Sequence, residues 1–175
     1  MLVTVTGGAG SGKSEFAEQL IVDSGISERC YIATMQVWDD ECRKRVDRHR
    51  QMRQGKGFQT VECPFNLFSA VSLIPEGSAV LLEDLTNLAS NEWFCEKDPN
   101  GMERRVVEGV RAICERAELV VVVTNELFSD GINYNNEIND FLKALGLLNK
   151  NICAHADLVY EVVCGIPVCW KGRKK

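Results

Sequence analysis

The chain has 175 residues, a length that fits one folded unit around a single core. Apolar residues make up 45% and charged residues 26%, and a net charge of −5 argues against non-specific nucleic-acid binding, which relies on broad positive potential. No apolar run approaches the roughly 20 residues that cross a bilayer, and the opening Met1–Thr6 run has no basic start, so a cytoplasmic protein is expected.

In chain order, Leu2–Thr6 is brief, continuous and apolar, as a parallel strand covered on both faces should be. It runs straight into Gly7-Gly8-Ala9-Gly10-Ser11-Gly12-Lys13-Ser14, which fits G-x-x-x-x-G-K-[ST] in full, and Lys13–Asp23 follows as a helix. Strand, glycine loop and helix form a phosphate cradle. The glycines let successive N–H groups turn inward, and the helix adds the positive end of its dipole. Lys13 is expected on the β- and γ-phosphates of ATP or GTP, and the Ser14 hydroxyl on magnesium.

Cys30–Thr34 reads as the second strand, and Asp39–Arg53 as a helix with acidic residues at its start and basic ones at its end. Spacings of four place Arg45, His49 and Arg53 on one face of it. Nearby cations disfavour the imidazolium, so His49 is expected neutral and nucleophilic. A neutral imidazole among arginines can attack phosphorus and carry the group covalently; the plainer reading of such a basic run is a solvated helix.

Phe65–Leu73 and Thr86–Cys95 read as short helices on either side of a strand at Ala79–Glu83. Glu83, at the end of that strand, is the expected acidic partner of the magnesium, and Asp84 suits the N-cap of the next helix. Met102–Arg116 is a helix and Leu119–Thr124 a strand. A polar stretch follows Asn133, then a helix to about His155. Leu158–Val163 and Val168–Trp170 close the chain as strands, with Gly165-Ile166-Pro167 as the turn between them and a basic tail after it. The eight cysteines hold no C-x-x-C pair and are expected as buried, free thiols.

Strand and helix in alternation mean an α/β fold, a mostly parallel sheet with helices on both faces. A phosphate loop alone does not name a reaction: kinases, ATPases and switches share it.

Taken together, the blocks resemble a family. Val5-Thr6-Gly7-Gly8-Ala9, Tyr31-Ile32-Ala33-Thr34, Asp39-Asp40-Glu41, Arg45-Val46, His49-Arg50 with Arg53, Thr60-Val61-Glu62, Leu82-Glu83 and Val123-Thr124-Asn125-Glu126 come in the order of the bifunctional adenosylcobinamide kinase/adenosylcobinamide-phosphate guanylyltransferases of cobalamin biosynthesis. The C-terminal part adds Asn149, Ala156-Asp157 and Gly165-Ile166-Pro167. The resemblance implies a RecA-like P-loop NTPase fold, 1–175 as a single catalytic domain, and assembly as a homotrimer. It implies phosphorylation of the aminopropanol hydroxyl of adenosylcobinamide by ATP or GTP. It further implies transfer of GMP from GTP, through His49, to adenosylcobinamide phosphate. Nucleotide contacts carry over to Gly7–Ser14, to Thr34, Met35 and Gln36, to Arg50, Gln51, Met52 and Arg53, and to Glu62 and Glu83. Departures from the family pattern cluster after Glu126, where Leu127–Tyr134 replaces a glycine-rich run, and at Asn139, Leu142, Lys143 and Lys150.

Overall fold

The computed structural model describes residues 1–95, 101–127 and 134–172. Thirteen elements follow one another: β1 (Leu2–Thr6), α1 (Lys13–Asp23), β2 (Arg29–Ala33), α2 (Asp40–Arg53), β3 (Phe58–Glu62), α3 (Phe68–Val71), β4 (Ala79–Glu83), α4 (Leu85–Phe94), α5 (Met102–Arg116), β5 (Leu119–Val123), α6 (Asn136–His155), β6 (Leu158–Val163) and β7 (Ile166–Lys171). They build one seven-stranded sheet in the order β3-β2-β4-β5-β1-β6-β7. Every neighbouring pair is parallel except β6–β7, which is antiparallel.

The period-two alternation of side chains sorts the central strands between two apolar layers. Val80, Leu82, Val120 and Val122 face the larger one, under α3 to α6, while Val3, Val5, Leu81, Val121 and Val123 face the smaller one, under α1. β4 and β5 are buried at every residue, which is why they read as unbroken apolar runs. Among the described residues, no helix is long and apolar enough to cross a membrane.

One strand escaped the sequence reading and three sequence expectations are corrected. β3 carries no apolar run because it is an edge strand with only Val61 buried. The expected helix at Phe65–Leu73 shrinks to Phe68–Val71, since Asn66 before it takes a left-handed backbone (φ 45°) that no α-helix continues. The last turn sits at Cys164 and Gly165, and Ile166 and Pro167 belong to β7. Pro167 is tolerated there because β7 is a sheet edge. All eight cysteines are free, as expected, but only Cys30 and Cys63 are buried, and Cys95, Cys164 and Cys169 are exposed. The run 128–133 and the tail residues 173–175 lie outside the described residues.

Candidate functional site

The C-terminal ends of β1, β2, β4 and β5 point toward one side of the sheet, where open α/β sheets place their ligands. A cavity of about 630 Å³ opens there. The phosphate loop forms its floor, α2 one wall, and the ends of β4 and β5 the other.

The loop owes its shape to backbone demands. Gly10 and Gly12 hold positive φ angles of 70° and 91°, which favour glycine. At Gly7 a Cβ would sit 2.6 Å from the Val162 carbonyl oxygen and 2.7 Å from Ser11 Oγ. Strand β6 therefore presses directly on the loop, and the Gly165 N–H donates to the Ser11 carbonyl at 2.8 Å. Lys13 folds back so that Nζ donates to the Gly8 carbonyl at 3.0 Å, and the residue is buried. Its pKa lies below the ordinary lysine value, chiefly through burial, with Asp84 and Glu83 opposing the shift and Arg45 adding to it.

Glu83 ends β4 in the middle of this cavity. Ser14 Oγ donates to Glu83 Oε1 in a short hydrogen bond. The same oxygen lies 3.6 Å from His49 Nδ1, while Glu83 Oε2 is buried with no partner. Burial raises the carboxyl pKa to about 7, against the Ser14 hydrogen bond, which lowers it. Asp84 serves as N-cap of α4: its Oδ1 accepts the Asn87 N–H at 2.6 Å and its Oδ2 accepts from Asn125 at 3.0 Å. The two neighbouring carboxyls thus split their tasks as the sequence suggested, Asp84 bound to backbone and Glu83 aimed at the cavity.

Helix α2 begins at Asp39, whose Oδ1 accepts the Cys42 N–H at 2.7 Å. Its inner face carries Glu41, Arg45, Arg48, His49 and Met52 into the cavity, positions three and four apart. Burial lowers the His49 pKa most, and Arg53, Arg45, Arg48 and Lys13 lower it further. The neutral ring expected from the arginines is therefore supported, with burial as the larger cause. An ionised Glu83 would favour the imidazolium, but four cations and the raised Glu83 pKa outweigh that pairing. Arg53 closes the helix only 7% exposed, its guanidinium carbon 3.3 Å from the centroid of the Tyr31 ring. Its Nη1 is buried without a hydrogen-bond partner. A desolvated cation with an open donor suits an anion.

Of the residues carried over for nucleotide binding, Ala9–Ser14, Met35, Arg50, Met52, Arg53, Glu62 and Glu83 line the cavity together with His49. Gly7 is buried against the Val162 carbonyl, and Gly8 is exposed, with its carbonyl accepting from Lys13 Nζ; neither is part of the lining. Thr34 is buried and its hydroxyl donates to the Asp84 carbonyl at 2.8 Å; neither it, Gln36 nor the exposed Gln51 is part of the lining. Sequence reasoning assigned no role to Tyr31, Glu41, Asn87 or Asn125. Glu41 was within reach, one helical turn before Arg45 on the same face. Tyr31 lies in the middle of β2 and Asn125 just past the end of β5, and both needed the sheet order to be placed.

The sequence model of the family described as "Cobinamide kinase / cobinamide phosphate guanyltransferase" matches residues 3–170. The chain is 37% identical over 182 residues to the bifunctional adenosylcobalamin biosynthesis protein CobU of Salmonella typhimurium, covering 96% of this chain and 98% of the relative. It is 30% identical over 170 residues to the bifunctional adenosylcobalamin biosynthesis protein CobP of Pseudomonas aeruginosa, covering 97% and 96%. Among solved structures, the flagellar accessory protein FlaH from Methanocaldococcus jannaschii aligns with a TM-score of 0.52 at 10% identity, over 98% of this chain and 78% of that one. That last likeness speaks for the fold alone and agrees with a RecA-like P-loop sheet.

Proposed function

The chain belongs to the cobinamide kinase / cobinamide phosphate guanyltransferase family, and from that premise we propose how the cavity around Lys13 and His49 performs both reactions. The protein is a bifunctional enzyme of adenosylcobalamin biosynthesis, a kinase and a guanylyltransferase that uses nucleoside triphosphates. The observation that carries the mechanism is the meeting of the phosphate-loop Lys13 and the α2 His49 across Glu83 in a single cavity.

In the kinase reaction, the loop N–H groups and Lys13 hold the β- and γ-phosphates of ATP or GTP. The aminopropanol hydroxyl of adenosylcobinamide attacks the γ-phosphorus and releases its proton to water; the bond to the bridging oxygen breaks and the nucleoside diphosphate leaves. Ser14 and Glu83 form a set of hard oxygen donors that fits magnesium, and the buried, unpartnered Glu83 Oε2 is the observation in favour. Magnesium bound there would neutralise charge on the transferred phosphate.

In the transferase reaction, His49 is the nucleophile. Its Nδ1 faces Glu83, which leaves Nε2 to attack the α-phosphorus of GTP. The N–P bond forms, the bond to the β-phosphate oxygen breaks, and pyrophosphate leaves toward Arg45 and Arg53. An oxygen of adenosylcobinamide phosphate then attacks the same phosphorus. The N–P bond breaks, the ring nitrogen regains its lone pair, and adenosylcobinamide-GDP is released. Splitting the transfer into two displacements lets one cavity serve both partners in turn. We take 1–175 as one catalytic unit, acting in the cytoplasm as a homotrimer.

The experiment is a crossed assay. Lys13→Ala and His49→Asn are each tested for phosphate transfer from ATP to adenosylcobinamide and for GMP transfer from GTP to adenosylcobinamide phosphate. His49→Asn should lose the second reaction and keep the first, whereas Lys13→Ala should lose the first. A His49→Asn enzyme that transfers GMP at the parent rate would refute the covalent route.

A further inference from the structure

The loop between β2 and α2 joins the two halves of the site, and it carries the most exposed large apolar side chain among the described residues. Trp38 is 73% exposed and its neighbour Val37 47%. Both flanks of the pair belong to the cavity: Met35 and Glu41 line it. The exposed indole therefore stands on a short loop that runs between two lining residues, with Val37 and Trp38 themselves outside the lining.

Folding does not account for this tryptophan. It occupies the position before the α2 N-cap, where an apolar side chain ordinarily packs against the fourth helical residue. Here that residue is Arg43, charged and exposed, so no such staple forms. Nor is the loop loose. At one end the Thr34 carbonyl accepts from Asn91 Nδ2 at 2.9 Å, and at the other Asp39 caps the helix. A large indole is held toward solvent by a loop anchored at both ends, beside a cavity whose lining suits phosphates.

The acceptor has the complementary shape. Its reactive hydroxyl sits on a short arm, and the arm hangs from a broad corrin ring that the charged interior does not suit. We propose that Trp38, with Val37 beside it, is the platform on which the corrin ring of the acceptor stacks while its aminopropanol arm enters the cavity. The proposal rests on the kinase and guanylyltransferase reading and adds the acceptor contact to it. An aromatic face presents large apolar area at little cost in side-chain freedom, which suits a flat macrocycle.

The test is equilibrium dialysis of adenosylcobinamide against the full chain, which needs no turnover, alongside the kinase assay with ATP. Trp38→Ala should weaken corrinoid binding about tenfold and raise its KM equally, with the KM for ATP moved by less than about twofold. Trp38→Phe, which keeps an aromatic face, should stay within about threefold of the parent. Trp170, also exposed but hydrogen-bonded to Glu161 on the β6–β7 hairpin, supplies the control: Trp170→Ala should bind corrinoid like the parent. Corrinoid affinity unchanged in Trp38→Ala overturns the platform, and does so even if sedimentation shows an altered oligomer. A parent that binds corrinoid through Trp38 yet transfers no phosphate supports the platform and removes the kinase reading instead.

Discussion

The floor of the cavity and its α2 wall are built in opposite ways. The phosphate loop rests on buried strands: β6 presses on Gly7, Gly165 bonds Ser11, and Lys13 is folded into its own loop. Helix α2 stands almost wholly in solvent, and Arg53 is its one buried residue. Its inner end is tied by the Arg53–Tyr31 stack and by Lys56, just past the helix, whose Nζ donates to the buried Glu18 of α1 at 2.6 Å. Backbone geometry fixes the floor and a few side chains fix the wall. The kinase floor should therefore fail through chemistry or strain, and the transferase wall through loss of single anchors.

The largest effect expected on this contrast is at Lys13. On the proposed role of Lys13 at the transferred phosphate, Lys13→Ala should slow phosphoryl transfer by roughly 10³, measured as kcat for adenosylcobinamide phosphorylation. A loss below tenfold would mean that the loop backbone alone supplies the catalysis. Next comes the anchor of α2. Arg53→Ala should slow GMP transfer by about 10². Tyr31→Phe, which keeps the stack, should stay near the parent, and Tyr31→Leu should fall toward Arg53→Ala; equal loss in both Tyr31 variants would assign the effect to the hydroxyl.

Smaller effects separate strain from surface. Gly7→Ala must move the Val162 carbonyl or the loop, and should cost about 1–3 kcal/mol in urea unfolding. An exposed change on α2, Gln51→Ala, should stay within about 0.5 kcal/mol. Smallest is Arg50→Ala. Its ion pair with Glu62 at 3.3 Å joins side chains 60% and 57% exposed, so its loss should cost about 0.5 kcal/mol or less. A larger cost would show that α2 is held to Glu62 of β3 as well.

The same contrast explains what the sequence disclosed. Strands β1 and β4 and helices α1 and α5 lie where the periodicity put them, because burial on the sheet writes itself as apolar runs and helical stripes. The phosphate loop is legible for a related reason: only glycine satisfies its backbone. β3 escaped notice because its exposed Gln59 and Thr60 give an edge strand no apolar signature. On α2, spacing found Arg45, His49 and Arg53, yet nothing local distinguishes a catalytic basic helix from a solvated one. Resemblance supplied the role proposed for His49, and the fold supplied Glu83 as its neighbour. Tyr31 was quoted in a strand motif, but its partner Arg53 lies 22 positions on, beyond any local pattern.

The central claim is that His49 itself carries the nucleotide between donor and acceptor. The direct measurement is the intact mass of the denatured protein after incubation with GTP and magnesium, without any corrinoid present. The account predicts a gain of one GMP per chain, mapped by peptide fragmentation to His49, stable in alkali, lost in acid and absent from His49→Asn. No gain in mass, or a gain that persists in His49→Asn, would contradict it.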